Sequence, residues 1–136
     1  KAHDIMTSNP AITYAGEIHG DDLLAYYAAA DCFVLPSYRE GFPNTVLEAG
    51  AMGLPSIVTD INGSREIIVE NENGYIIPPQ DTDALLTAMR RMMTENRRRS
   101  YMVSHARNMI RCRFEQGFVR QCLFDFYDVI LGGEKE

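Results

Sequence analysis

Glu40 and Glu48 stand with seven residues between them in the stretch Ser37-Tyr38-Arg39-Glu40-Gly41-Phe42-Pro43-Asn44-Thr45-Val46-Leu47-Glu48-Ala49-Gly50-Ala51-Met52-Gly53-Leu54-Pro55. The segment from Asn44 carries helix signals at both ends. Asn44 is a candidate N-cap, and Gly53 with Pro55 stops the helix. The free amides of a helix's first turn sit at the positive end of its dipole and attract anions. Glu48 lies four residues after Asn44 on the same face, and the tilt of helical Cβ bonds aims it back toward the helix start. A carboxylate there repels a phosphate but accepts hydrogen bonds from the two hydroxyls of an adjoining ribose. Glu40 closes the other side of the loop and can face the same space. The set suits a nucleoside diphosphate carrying a further group. Spacing alone is equally compatible with two ordinary solvated acids.

The elements around this stretch alternate. Ala11–Gly16 reads as a short strand ending in a turn, and Asp21 or Asp22 can cap a helix through Leu23, Leu24, Tyr26, Tyr27 and Ala30. Cys32-Phe33-Val34-Leu35-Pro36 reads as a buried strand, followed by the loop and helix above. Ser56–Asp60 is a further strand, Ser64 can cap a short helix over Arg65–Glu70, and Gly74–Ile77 is the next strand. Thr82 or Asp83 opens a helix with Leu85, Leu86, Met89, Met92 and Met93 at helical spacing, and the three methionines read as core fillers. From Asn96 the pattern is helical but broken. A last helix from about Glu115 to Leu131 carries Phe118, Cys122, Phe126, Val129 and Ile130 as an apolar stripe. Lys1–Pro10 has no periodicity and Gly132–Glu136 reads as a frayed tail. Strands alternating with helices predict an α/β fold, a Rossmann-like parallel sheet with helices on both faces.

A chain of 136 residues suits one domain with a real core, and 46% hydrophobic with 24% charged residues is ordinary for a globular protein. No apolar run approaches the length of a membrane span, and no signal-peptide pattern opens the chain. Cys32, Cys112 and Cys122 form no metal or CxxC pattern, which suits a reducing cytoplasm. The net charge of −6 is uneven: residues 1–89 hold 3 Lys/Arg against 13 Asp/Glu, and residues 90–136 hold 10 against 6. The acidic part contains the candidate phosphate site, so backbone amides, and cations from outside this chain, are expected to carry the anion recognition. The carboxylates are not clustered at ligand spacing, so no metal is implied.

The residues Pro36-Ser37, Glu40-Gly41-Phe42-Pro43-Asn44 and Leu47-Glu48-Ala49 resemble the signature of the family 4 retaining glycosyltransferases, also called group 1 glycosyltransferases. The resemblance continues through Gly53-Leu54-Pro55, Val58-Thr59-Asp60, Asn62-Gly63, Glu66-Ile67-Ile68 and Asn73-Gly74-Tyr75-Ile76-Ile77-Pro78-Pro79. It spans about Ile12 to Met93, and the ordered series is far more specific than the glutamate pair.

This resemblance implies the C-terminal, donor-binding half of a GT-B fold, truncated at its start, with residues 1–136 as a single domain and 115–131 as its C-terminal helix. In the family a glycine-rich turn and a basic pair upstream of Lys1 contact the donor diphosphate, so the chain alone is expected to be inactive. Glu48 would bind the ribose, and the Asn44 and Thr45 amides the diphosphate. Glu40 with the Gly41–Phe42 backbone would meet the donor sugar, and the base would rest near Gly16–Ile18, with Ile18 the contact. Where the family often has glycine, Pro43 has no N–H to offer. The implied reaction is hexosyl transfer from a nucleoside-diphosphate sugar to an acceptor hydroxyl with retention, by same-face displacement. Glu40 is thus a catalytic-site residue without being assigned as nucleophile. UDP-sugars are the first expectation and GDP-sugars the second. A glycan or lipid-linked acceptor is implied, with no cofactor, no metal and no nucleic acid, acting in the cytoplasm or at the inner face of the plasma membrane.

Blander readings stand beside these. His3, His19 and His105 are scattered and read as surface or turn. Arg97-Arg98-Arg99 reads as a solvated helix face, with peripheral contact to an acidic membrane as the alternative. Arg39 and Arg65 flank the central loops with a surface role as default. The last helix resembles the segment that in this fold crosses back onto the N-terminal domain, and its stripe could otherwise mediate self-association. A non-catalytic nucleotide-sugar-binding or scaffold domain would not call for both Glu40 and Glu48. A receiver-like α/β domain needs a lysine at a strand end, and the only lysines are Lys1 and Lys135.

Overall fold

In the computed structural model, residues 8–130 are described. Ser56-Ile57-Val58-Thr59 forms the central strand, β2 (Ser56–Thr59), and every residue in it is buried. A strand covered on both faces has no solvent side to show, so Ile57 and Val58 on opposite faces are buried alike, with Ser56 and Thr59 buried beside them. β1 (Phe33–Leu35) and β3 (Gly74–Ile77) pair with it in parallel, in the order β1-β2-β3, with Phe33 opposite Ser56 and Ser56 opposite Gly74.

Helices cover both faces. α1 (Gly20–Ala29) precedes β1, α2 (Asn44–Ala51) joins β1 to β2, and α3 (Ser64–Ile67) joins β2 to β3. Three helices follow: α4 (Thr82–Thr94), α5 (Asn96–Phe114) and α6 (Gln116–Ile130). One face buries Ile57, Tyr75 and Ile77 against Ala88 and Met92 of α4 and Met102 of α5. The other buries Val58 against Val46 of α2, Ile67 and Ile68 at α3, and Ile110 of α5. α5 therefore contributes to both cores, Met102 to one and Ile110 to the other. A third cluster, Tyr27, Ala49 and Leu54, packs α1 onto α2.

Several expected boundaries move. Ala11–Gly16 is not a strand: among the described residues it joins no sheet, the Ala11 and Ile12 amides turn back onto Asn9, and Gly16 turns at φ 73°. An extended segment persists only where its amides find a ladder. The Cys32–Pro36 strand shrinks to Phe33–Leu35 and is half-buried, because β1 has a strand on one edge only among the described residues. The Ser56–Asp60 strand ends at Thr59. Asp21 and Asp22 do not cap α1; they sit in its first turn behind His19. Ser64 is the first residue of α3 rather than its cap, which is Gly63, and α3 ends at Ile67 rather than Glu70. α4 opens at Thr82 as expected, behind its cap Asp81, whose carboxylate accepts from the Ala84 amide at 2.8 Å. Of the three methionines only Met92 is buried; Met89 and Met93 are 42% and 73% exposed. The break expected after Asn96 falls only at Glu115, between two continuous helices. The predicted end of the last helix at Leu131, the tail Gly132–Glu136 and residues 1–7 lie outside the described residues.

α2 ends in a closed turn. The Gly53 amide donates to Gly50 O at 2.9 Å and the Leu54 amide to Ala49 O at 2.9 Å. Gly53 takes the left-handed conformation this needs, φ 86°, and Leu54 drops into the same cluster as Ala49. α5 secures further helix ends. Arg107 Nε donates to Ala51 O at 2.8 Å, and the Arg113 guanidinium reaches the carbonyls of Glu66 and Ile67. A cation there satisfies carbonyls that the helix leaves unpaired, at its negative end. Among the described residues no helix is long and apolar enough to cross a membrane.

Candidate nucleotide-sugar site

The loop from Pro36 to Pro43 leaves the carboxyl end of β1, where ligands of parallel α/β sheets bind. Three contacts fix it. Pro43 is buried at its end, the Phe42 ring lies 5.7 Å from the Phe114 ring of α5, and Gly41 abuts Gly63 so closely that a Cβ on Gly63 would strike the Gly41 carbonyl oxygen. Gly63 stands at φ 81°, ψ −55°, a conformation open to glycine and strained for other residues. The turn before α3 therefore braces the loop that leads into α2.

Asn44 does not cap α2. Pro43 holds the cap position in an extended conformation, and Asn44 is the first helical residue. The reason is local: proline's fixed φ suits the residue entering a helix, and its carbonyl is free to accept the first-turn bonds. Val46 N donates to Pro43 O at 3.0 Å and Leu47 N to the same oxygen at 3.5 Å. Among the described residues the amides of Asn44 and Thr45 have no such partner, and both residues are exposed. Two open amides at a helix start are an anion cradle.

The two glutamates flank this start, each engaged by a hydroxyl. Glu40 is half-buried and Oε1 accepts from Ser37 Oγ at 2.6 Å. Glu48 is exposed and Oε2 accepts from the Tyr27 hydroxyl of α1 at 3.2 Å. Burial, and then the neighbouring Glu48 carboxylate, push the Tyr27 phenol up to about 12, so it remains a donor. Ile18 and Thr45 line a cavity of about 410 Å³ together with Leu23, Tyr26 and Tyr27. The expected residues thus fall on two sides of one helix start. Glu40, Gly41 and Phe42 lie on the braced loop, while Ile18, Thr45 and Glu48 lie toward α1.

Other singled-out residues stand apart. Arg65 is held by Asp60 at 3.4 Å and Asn62 at 2.9 Å, an exposed pairing within the β2–α3 turn. Arg39 is exposed. Cys32 is half-buried with its thiol pushed up to about 12 by desolvation, which makes it an inert packing group. Sequence reasoning gave no role to Tyr27, whose partner is 21 positions away, or to Asn73, quoted only within the Asn73–Pro79 stretch of the resemblance. The Asn73 side chain, almost wholly buried, accepts from Val69 N at 2.7 Å and donates to Ile67 O at 3.1 Å, locking the turn between α3 and β3. Its local signal was its place in an Asn-Gly pair before a strand.

Residues 7–109 match the sequence profile of the glycosyl transferases group 1 family. The chain is 37% identical over 90 residues to the UDP-Gal:alpha-D-GlcNAc-diphosphoundecaprenol alpha-1,3-galactosyltransferase of Escherichia coli, covering 66% of this chain and 23% of that protein. It is 31% identical over 129 residues to a GDP-mannose-dependent alpha-mannosyltransferase of Mycolicibacterium smegmatis, covering 94% and 33%. The fold superposes on sucrose-phosphate synthase from Thermosynechococcus elongatus with a TM-score of 0.82 and 25% identity, covering 98% of this chain and 34% of that one. The chain spans at most a third of the length of these curated relatives.

Proposed function

This chain belongs to the group 1 glycosyl transferases and has their GT-B type of α/β fold, and from that premise we propose that it forms the donor-binding half of an enzyme that moves a sugar from a nucleoside diphosphate to an acceptor hydroxyl with retention at the anomeric carbon. The observation behind the proposal is the pair of open amides, Asn44 and Thr45, flanked by two carboxylates that hydroxyl groups hold in place. In this reading the amides take the diphosphate, and Glu48 takes the ribose hydroxyls. The cavity beside Ile18 and Thr45 takes the base. Glu40, with the Gly41–Phe42 backbone, meets the sugar. As the bond to the leaving diphosphate breaks, charge grows on its oxygens, and amides already aimed there stabilise it without reorganising. No resident metal or cofactor is part of the proposal.

The relatives' names guide the substrates. A UDP-sugar is the first choice, in keeping with the UDP-Gal enzyme, and a GDP-sugar the second, in keeping with the GDP-mannose enzyme. A glycan or lipid-linked acceptor follows from the former, approached from a second domain across a cleft. Calorimetry of the full-length protein with UDP- and GDP-sugars tests the donor site. Glu48→Gln is expected to weaken donor binding by about 1–3 kcal/mol, the scale of a hydrogen bond to a charged group. Unchanged affinity refutes the ribose role. Sugar transfer catalysed by residues 1–136 alone would show that the domain needs no complement.

A further inference from the structure

We infer that Tyr27 is a positioning residue for the donor ribose, holding Glu48 so that its remaining oxygen lone pairs face the ligand's two vicinal hydroxyls. The inference rests on the ribose role of Glu48 and adds a residue to it. Glu48 stands on an exposed helix face, and among the described residues no cation pairs with it. A long carboxylate so placed samples many rotamers and must be ordered each time a ligand binds. Tyr27 removes that freedom. Its ring is 5% exposed, packed with Ala49 and Leu54 and set edge-on to Phe33 with centroids 5.9 Å apart. It therefore presents the hydroxyl from a fixed point, 3.2 Å from Glu48 Oε2.

The geometry leaves a defined remainder. Tyr27 occupies one acceptor site of Oε2, and Oε1 stays free, so a diol can donate to the carboxylate without displacing the phenol. The phenol stays protonated in the physiological range because burial and the carboxylate hold its proton on. Tyr27 also lines the cavity shared by Ile18 and Thr45, which puts the oriented carboxylate beside the proposed nucleoside site.

The test is discrimination between ribose and 2′-deoxyribose, which a merely structural role would not move. Calorimetry on the full-length protein compares UDP with 2′-deoxyuridine 5′-diphosphate, and GDP with its 2′-deoxy counterpart, in the parent, Tyr27→Phe, Glu48→Gln, the double variant and Phe33→Leu. Glu48→Gln is expected to erase most of the discrimination. Tyr27→Phe, which keeps the ring, is expected to lower it roughly three- to tenfold, the worth of one hydrogen bond. The double variant should be no worse than Glu48→Gln, and Phe33→Leu, which loosens the ring without touching the hydroxyl, should keep the discrimination. If Glu48→Gln loses discrimination and Tyr27→Phe does not, the Tyr27 role falls and that of Glu48 stands. If Glu48→Gln keeps it, or the parent binds neither pair, the ribose reading falls and this inference with it. Equal losses in Tyr27→Phe and Phe33→Leu would assign the effect to ring packing and overturn the role of the hydroxyl.

Discussion

Replacing Gly63 by alanine separates two costs that usually arrive together. At φ 81° and ψ −55° the backbone is strained for any residue with a Cβ, by about 1–3 kcal/mol. The added carbon also meets the Gly41 carbonyl, and Pro43 Cδ at 3.1 Å, and forcing atoms into an occupied space costs about 1–3 kcal/mol more. Gly53→Ala is the control. Gly53 has a similar φ of 86°, but a Cβ there meets nothing within 4 Å, so it pays only the left-handed strain of about 1–2 kcal/mol. The loss of unfolded-state freedom is the same for both substitutions and cancels in their difference. Gly63→Ala should therefore be less stable than Gly53→Ala by about 2 kcal/mol, or a urea midpoint lower by about 1 M at a slope of about 2 kcal/mol/M. The Gly63 variant should also bind nucleotide roughly tenfold more weakly, because its collision displaces the loop entering α2 and small misplacements are costly at such sites. Gly53→Ala, at the far end of that helix, should bind normally. Equal stability losses, or unimpaired binding by Gly63→Ala, would show that the Gly63 turn does not brace the Glu40–Pro43 loop.

Met102→Ala, at a wholly buried position, should cost about 2–5 kcal/mol, whereas Met93→Ala should stay within about 0.5 kcal/mol; paired urea melts check the division between core and surface methionines. The Glu115 carboxylate accepts from the amides of Gly117 at 2.9 Å and Phe118 at 3.1 Å, which holds its titration below the ordinary 4.5. Because the folded value is the lower one, that stabilisation of the start of α6 is present above pH 4.5 and lost as pH falls through the depressed value. A carboxyl NMR titration with a midpoint at or above 4.5 would contradict it, as would protection of the Gly117 and Phe118 amides that does not respond to acid.

The parts of the fold legible in the sequence were those whose residues answer to their own neighbours. Ser56–Thr59 reads as a strand because its residues are largely β-branched, although its central place in the sheet is not local information, and Gly53 ends α2 because the turn needs its φ. Ala11–Gly16 looked equally strand-like, but a strand needs a partner's amides, and local pattern says nothing of those. The caps slipped by one residue at Pro43 and Gly63, each standing just before the polar residue whose side chain had suggested the cap. At the site, the spacing of Glu40 and Glu48 pointed to the start of α2, yet Tyr27 read simply as part of an apolar helix face. Its hydroxyl matters only because α1 packs across α2, a long-range fact. Arg107 and Arg113 likewise carry no local sign of the carbonyls they reach, which depend on α5 lying across the ends of α2 and α3.

That placement of α5 bears on where the gene can be cut. The family profile stops at residue 109, five residues short of the end of this helix. Ending a recombinant product there would discard Ile110, Arg113 and Phe114. It would remove the α5 side chains from one core, the clasp from α3 and the aromatic neighbour from Phe42 in a single stroke. The smallest expressible unit should thus be trimmed no earlier than Phe114, five codons beyond the edge that sequence likeness alone would draw.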